Sequence, residues 1–164
     1  MKKIVVYTAL FADNIEELFG VLPEYENTDI EFICFTNTPY LKSKTWDIRL
    51  AELEGEGRIT ARKYKTLPHK YIPGYDAWIW MDNCCVFNYN PVDLYNYYMD
   101  GYDICLHEHC DRVNIKQEAE VLIHRGWGEE VITKQIDGYY SEGYQDQGLY
   151  ETGILMRKNN EKVL

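Results

Sequence analysis

The sequence predicts an α/β sandwich with a mixed, mostly parallel central sheet. Apolar runs of strand length alternate along the chain with segments of helical pattern. A length of 164 residues, 46% of them hydrophobic, fits one domain over residues 1–164 with a real core. Several strand candidates end abruptly in polar or acidic residues, which is where open α/β sheets place their ligands.

The elements follow in order. KIVVYTAL (3–10) reads as a buried first strand. DNIEELFG (13–20) reads as a short helix with Asp13 or Asn14 as N-cap and Gly20 near its stop. IEFICFTN (30–37) is a second strand, and TWDIRLAE (45–52) alternates as a third. EGEG (54–57) is a turn or loop. The basic stretch 58–73 is helical at least to Pro68, which breaks or kinks it. AWIWMDNCC (77–85) contains the central strand. NPVDLYNYYMD (90–100) is a helix with Asn90 as N-cap and Pro91 at its first position. YDICLHEHC (102–110) is a further strand, residues 114–125 and 128–137 are helical, and a last strand covers about 152–157.

Net charge is −10, and no basic stripe exists to neutralise a phosphate backbone, so nucleic acid is not an expected partner. No apolar run has transmembrane length. MKKIVVYTAL lacks a cleavage site and reads as a strand rather than a signal peptide. The five cysteines are odd in number and lie mostly in apolar runs, which points to free thiols in a reducing, cytoplasmic compartment. The 15 tyrosines suit either sugar and base contacts or the packing of a loop-rich surface.

Three strand ends, YTALFADN, WMDNCC and LHEHCDR, would converge if they share one edge of a parallel sheet. There, Asp82 either caps a turn or offers a carboxylate oxygen to Mg²⁺ or Mn²⁺. Arg62, Lys65 and His69 stand at spacings of three and four, so a helix would bring them to one face. That face is either solvated or holds a diphosphate. Cys84, Cys85, His107, His109 and Cys110 include zinc-ligating residue types, but they contain no CxxC pair, and strand neighbours point to opposite faces. Glu118 and Glu120 on a helix, and Glu151 before the last strand, are carboxylates able to act as a base or to hold a sugar hydroxyl.

Taken in order, VVYTALF, FICFTN, TWDIR, ARKYKTLPHKYIPGYDAWIWMDN, HEHCDRVNIKQEAE and GLYETGILMRKNN resemble the glycosyltransferase-like domain long catalogued as a domain of unknown function. This is the type found in plant and bacterial cell-wall glycan proteins, and the resemblance spans almost the whole chain. It implies a GT-A fold, a nucleotide-sugar donor (a UDP-sugar favoured), a glycan acceptor and Mn²⁺ or Mg²⁺. Carried over residue by residue, it implies that Tyr7, Thr8, Ala9 and Phe11 border the base and ribose. Arg62 and Lys65 would lie near the diphosphate, and Asp82 would open the acidic metal motif. His107, Arg112 and Glu118 would line the sugar or acceptor side, with Glu151 close to the transferred sugar. Cys84 departs from the pattern, which has a second acid at that position. The family also continues into a segment with a tryptophan pair and an Arg-Asp-Gln run that has no counterpart here, so a core fragment is expected.

The resemblance thus implies a sugar transferase working beside a membrane-bound glycan pathway. A degenerate GT-A module that binds nucleotide or glycan without turnover is the alternative, and a zinc-stabilised structural domain is a third.

Overall fold

The computed structural model describes residues 2–14, 22–26 and 29–163. The helix expected at 13–20 lies almost wholly outside them. The elements are β1 (Ile4–Leu10), β2 (Glu31–Thr36), β3 (Trp46–Leu50), α1 (Gly57–Thr66), α2 (Pro68–Tyr71), β4 (Ala77–Met81), α3 (Pro91–Tyr98), β5 (Ile104–Glu108), α4 (Ile115–His124), α5 (Glu129–Ser141) and β6 (Tyr150–Lys158). The strands form one sheet in the order β3-β2-β1-β4-β6-β5. The pairs β1–β2, β2–β3 and β1–β4 are parallel, and β4–β6 is antiparallel. The fold is therefore α/β with a six-stranded, mixed, mostly parallel sheet.

The chain divides into two compact units. One comprises Met1–Leu106 with Thr152–Leu164, and the other His107–Glu151.

In the first unit the sheet is covered on both faces, which is why β1 and β4 are apolar without alternation. Val6, Ala77, Ile79 and Met81 pack on one face with Tyr95 of α3 and with Met99. Val5, Tyr7, Trp78 and Trp80 pack on the other with Tyr64 of α1 and Ile72. Trp78 donates its indole N–H to Ile72 O at 3.1 Å, so even this fully buried ring keeps its polar atom satisfied.

Two contacts fix α1 against the sheet. Gly57, its first residue, lies so close to the exit of β1 that a Cβ there would stand 2.4 Å from Phe11 O. The Gly57 N–H donates to the Asp13 carboxylate at 2.6 Å. Asp13 thus supplies from another segment the cap that Glu56 does not, rather than serving only a helix of its own. At the other end, buried Arg157 of β6 donates to the carbonyls of Lys65 and Thr66 and, at 2.6 Å, to the Tyr7 hydroxyl. A cation on the last carbonyls complements both their unpaired lone pairs and the helix dipole. Pro68 ends α1 as expected and then opens α2 at its first turn. Asn90 caps α3 by accepting from the Val92 N–H at 2.8 Å.

In the second unit α4 starts at Asn114, whose side chain accepts from the Gln117 N–H at 2.9 Å. The helix α5 follows after Gly126, which takes a φ of +83° that a side chain would resist.

Candidate functional site

The strand order reverses between β1 and β4, because β2 and β3 lie to one side of β1 and β4 to the other. Such a switch point opens a crevice at the carboxyl ends of the strands. A cavity of about 640 Å³ lies there, within the usual size range for a small-molecule site. Its wall includes Thr8 and Ala9 from β1, Trp80 from β4 with Asp82 and Asn83 beyond it, and Thr152 and Leu155 from β6. The helix α1 contributes Arg58, Ala61, Arg62, Lys65 and Thr66.

The cationic row is a consequence of helix geometry. Positions 58, 62 and 65 recur at intervals of four and three, so their side chains share one stripe. The opposite stripe carries Thr60 and Tyr64, both buried. Among the described residues, the wall carries three cations against one carboxylate, in a chain whose net charge is −10.

Asp82 sits where β4 stops. Its N–H donates to Gly153 O at 2.7 Å, and its own carbonyl accepts from the Cys85 N–H at 2.9 Å, which closes the turn. Its side chain is already engaged. Oδ1 accepts from Lys65 Nζ at 3.0 Å and from the Trp80 indole N–H at 2.6 Å. Lys65 also lies over the Trp80 ring, 5.1 Å from its centroid. Asp82 is therefore both turn residue and cavity wall.

The divalent cation implied by the resemblance fits this donor set poorly. Mn²⁺ and Mg²⁺ take several oxygen ligands, commonly one or two carboxylates with phosphate and water, and Asp82 is the one carboxylate among the described residues of the wall. Cys84 stands exposed at the position of the second acid. Lys65 already neutralises the carboxylate. A doubly charged ion about 5 Å from that ammonium would lose to it roughly 7 kcal/mol of the attraction the carboxylate offers, at an effective dielectric constant near 20.

The expected site residues separate into groups. Thr8, Ala9, Arg62, Lys65 and Asp82 come together at the cavity. Tyr7 does not border it: the residue is fully buried, its hydroxyl donates to Lys65 O at 3.0 Å and accepts from Arg157, and burial pushes its pKa well above the usual range for tyrosine. Phe11 does not line the cavity either, and its ring stacks on Tyr64 at 5.3 Å. His69 lies in α2, off the cationic stripe. Among the described residues no tyrosine lines the cavity, and Trp80 supplies its aromatic wall. Arg58 is a wall residue that sequence reasoning missed, although its spacing to Arg62 marked the stripe.

His107, Glu118 and Glu151 fall in the second unit. His107 is exposed on β5, while Glu118 and Glu151 gather around His109, 3.9 and 3.4 Å from its Nε2. Arg112 pairs with Glu118 and touches His109 Nε2. His109, Cys110 and Glu151 bring potential ligand atoms within 4.8 Å of one another. Zinc fits poorly here as well. His109 Nδ1 faces the N–H groups of Asp111 and Arg112, each at 3.1 Å, and Nε2 faces the Arg112 guanidinium. A ligating imidazole needs a lone pair toward the metal and an N–H toward an acceptor. Nδ1 meets two N–H donors, and Nε2 meets both the Arg112 guanidinium and the Glu118 and Glu151 carboxylates, so both nitrogens are already engaged and the cluster reads as an ion-pair network.

Among the described residues, no helix is long and apolar enough to cross a membrane. Comparison with protein-family models, with curated proteins and with solved structures finds no match to this chain.

Proposed function

We propose that the first unit is a nucleotide-sugar-binding sandwich of the GT-A type. On this reading the protein is a glycosyltransferase that moves a sugar from a nucleotide donor, a UDP-sugar favoured, to a glycan hydroxyl. The observation that carries the proposal is the row Arg58, Arg62 and Lys65 along a cavity at the switch point of the sheet.

A donor diphosphate carries about two negative charges, one per phosphate. The described residues of the wall, with three cations to one carboxylate, complement it. In the transfer, the acceptor oxygen bonds to the anomeric carbon as the bond from that carbon to the phosphate oxygen breaks, and the hydroxyl proton passes to the departing diphosphate or to solvent. Negative charge then builds on the departing diphosphate. Arg62 and Lys65 are placed on a packed helix, so they would stabilise that charge without reorganising. Trp80 and Leu155 give the cavity apolar surface for a base or sugar face.

The second reading is a domain that binds the nucleotide without turning it over. The engagement of Asp82 Oδ1 by Lys65 and Trp80 favours it, since that carboxylate is then a positioning group and not a reactive one.

Calorimetric titration of UDP, GDP and UDP-sugars, followed by assay of each bound sugar nucleotide for release of its diphosphate, separates the two. Binding with release, even slow hydrolysis, supports the transferase. Binding of one nucleotide with no release under any acceptor supports the binding domain. Failure of every nucleotide to bind overturns both.

A further inference from the structure

We infer that this cavity neutralises its diphosphate with Arg58, Arg62 and Lys65 and uses no divalent cation. The inference rests on the nucleotide-binding reading above and adds the identity of the counter-charge.

Three observations converge on it. The three cations line a single stripe of α1, so one diphosphate lying along the helix can meet them all. Arginine presents paired N–H groups that match phosphate oxygens, and Lys65 adds a point charge. The carboxylate that would recruit a cation is bonded to Lys65 Nζ at 3.0 Å and to the Trp80 indole at 2.6 Å. Its strand-end neighbour Cys84 offers no hard oxygen.

The same stripe is held from outside the cavity. Gly57 and Asp13 dock the start of α1, and Arg157 binds the carbonyls of Lys65 and Thr66 at its end. The cations are therefore carried by a helix fixed at both termini, as a preorganised anion site requires.

The test is calorimetric titration of UDP, and separately of inorganic pyrophosphate, in EDTA and in Mn²⁺. The expected result is binding in EDTA with an affinity within about threefold of that in Mn²⁺. Arg62→Ala should weaken both probes about tenfold or more, and Arg62→Lys should recover part of the loss. Circular dichroism of each variant separates lost binding from lost folding. Binding of UDP only with Mn²⁺ would overturn the inference and leave the nucleotide reading standing. Binding of pyrophosphate in EDTA without binding of any nucleoside diphosphate would do the reverse. Failure of both probes in EDTA would overturn the inference outright.

Discussion

Lys65 Nζ lies 3.0 Å from Asp82 Oδ1, and this pair joins the last turn of α1 to the end of the strand beside it. Both side chains are partly shielded, with 15% and 36% of their surfaces exposed. The pair aims the lysine across the cavity and lowers the local positive charge by one. Asp82→Asn keeps the shape and the acceptor oxygen but removes the negative charge. UDP should therefore bind the variant a few-fold more tightly at low ionic strength, and the gain should fade with salt. A metal-ligating Asp82 would instead give a variant that fails to bind. Titration of UDP at two salt concentrations distinguishes these outcomes.

Gly57 packs against Phe11, just beyond the end of β1, and the 2.4 Å approach of its missing Cβ to that backbone oxygen leaves no flexible atom to give way. Gly57→Ala should cost about 1–3 kcal/mol by overpacking, despite alanine's higher helix propensity. Urea unfolding of the purified variant measures this. A gain in stability would show that α1 is not docked as described.

Arg157 donates to the carbonyls of Lys65 and Thr66 at the end of α1 and to the Tyr7 hydroxyl, which itself donates to Lys65 O. Arg157→Met keeps much of the bulk but removes the donors facing the carbonyls of Lys65 and Thr66. We expect a loss of about 2–4 kcal/mol in stability, together with weaker nucleotide binding through the loosened Lys65. Tyr7→Phe should cost about 1 kcal/mol, because the Arg157 guanidinium keeps its carbonyl partners. Equal losses in the two variants would contradict the assignment of Arg157 as the organising group.

Alkaline pH should unfold the protein. Burial pushes the Cys34 thiol from about 9.0 up to about 12, and burial also raises the Tyr7 hydroxyl. These folded-state values lie above the unfolded ones, so the unfolded chain releases its protons first as pH rises. The stability is fully present below about pH 9 and is lost as pH climbs towards 12. Each such group lowers stability by up to about 1.4 kcal/mol per pH unit in that window. Urea midpoints from pH 7 to 11 test this. A Cys34→Ala variant should show a shallower decline above pH 9, and an unchanged slope would remove the thiol from the account.

The parallel core of the sheet was legible because β1, β2 and β4 are short apolar runs of strand length, and the segments around Pro68 and Asn90 carry their own stop and start chemistry. The direction of β6 was not, since alternation of side chains is the same in parallel and antiparallel strands. Within the site, Asp82 was visible as a carboxylate ending an apolar run. Arg58 is hidden by the spacing of Arg62, Lys65 and His69, which suggests one helical face, although Pro68 starts a new helix before His69. The burial of the Tyr7 hydroxyl was not legible for a different reason. Its partner Arg157 lies 150 residues away, and nothing local in YTALF signals that bond. The donors around His109 are likewise a product of the turn at 109–112, invisible in the spacing of HEHCDR.

The central claim is that the α1 stripe is an anion site for a nucleotide diphosphate. Its most direct test is UDP titration of the wild-type protein beside the Arg58→Ala, Arg62→Ala double variant at equal ionic strength. We predict one-to-one binding by the wild type and a loss of about thirtyfold or more in the variant, with the fold retained by circular dichroism. Equal affinity in the two proteins would contradict the account, because the diphosphate would then be held somewhere other than along α1.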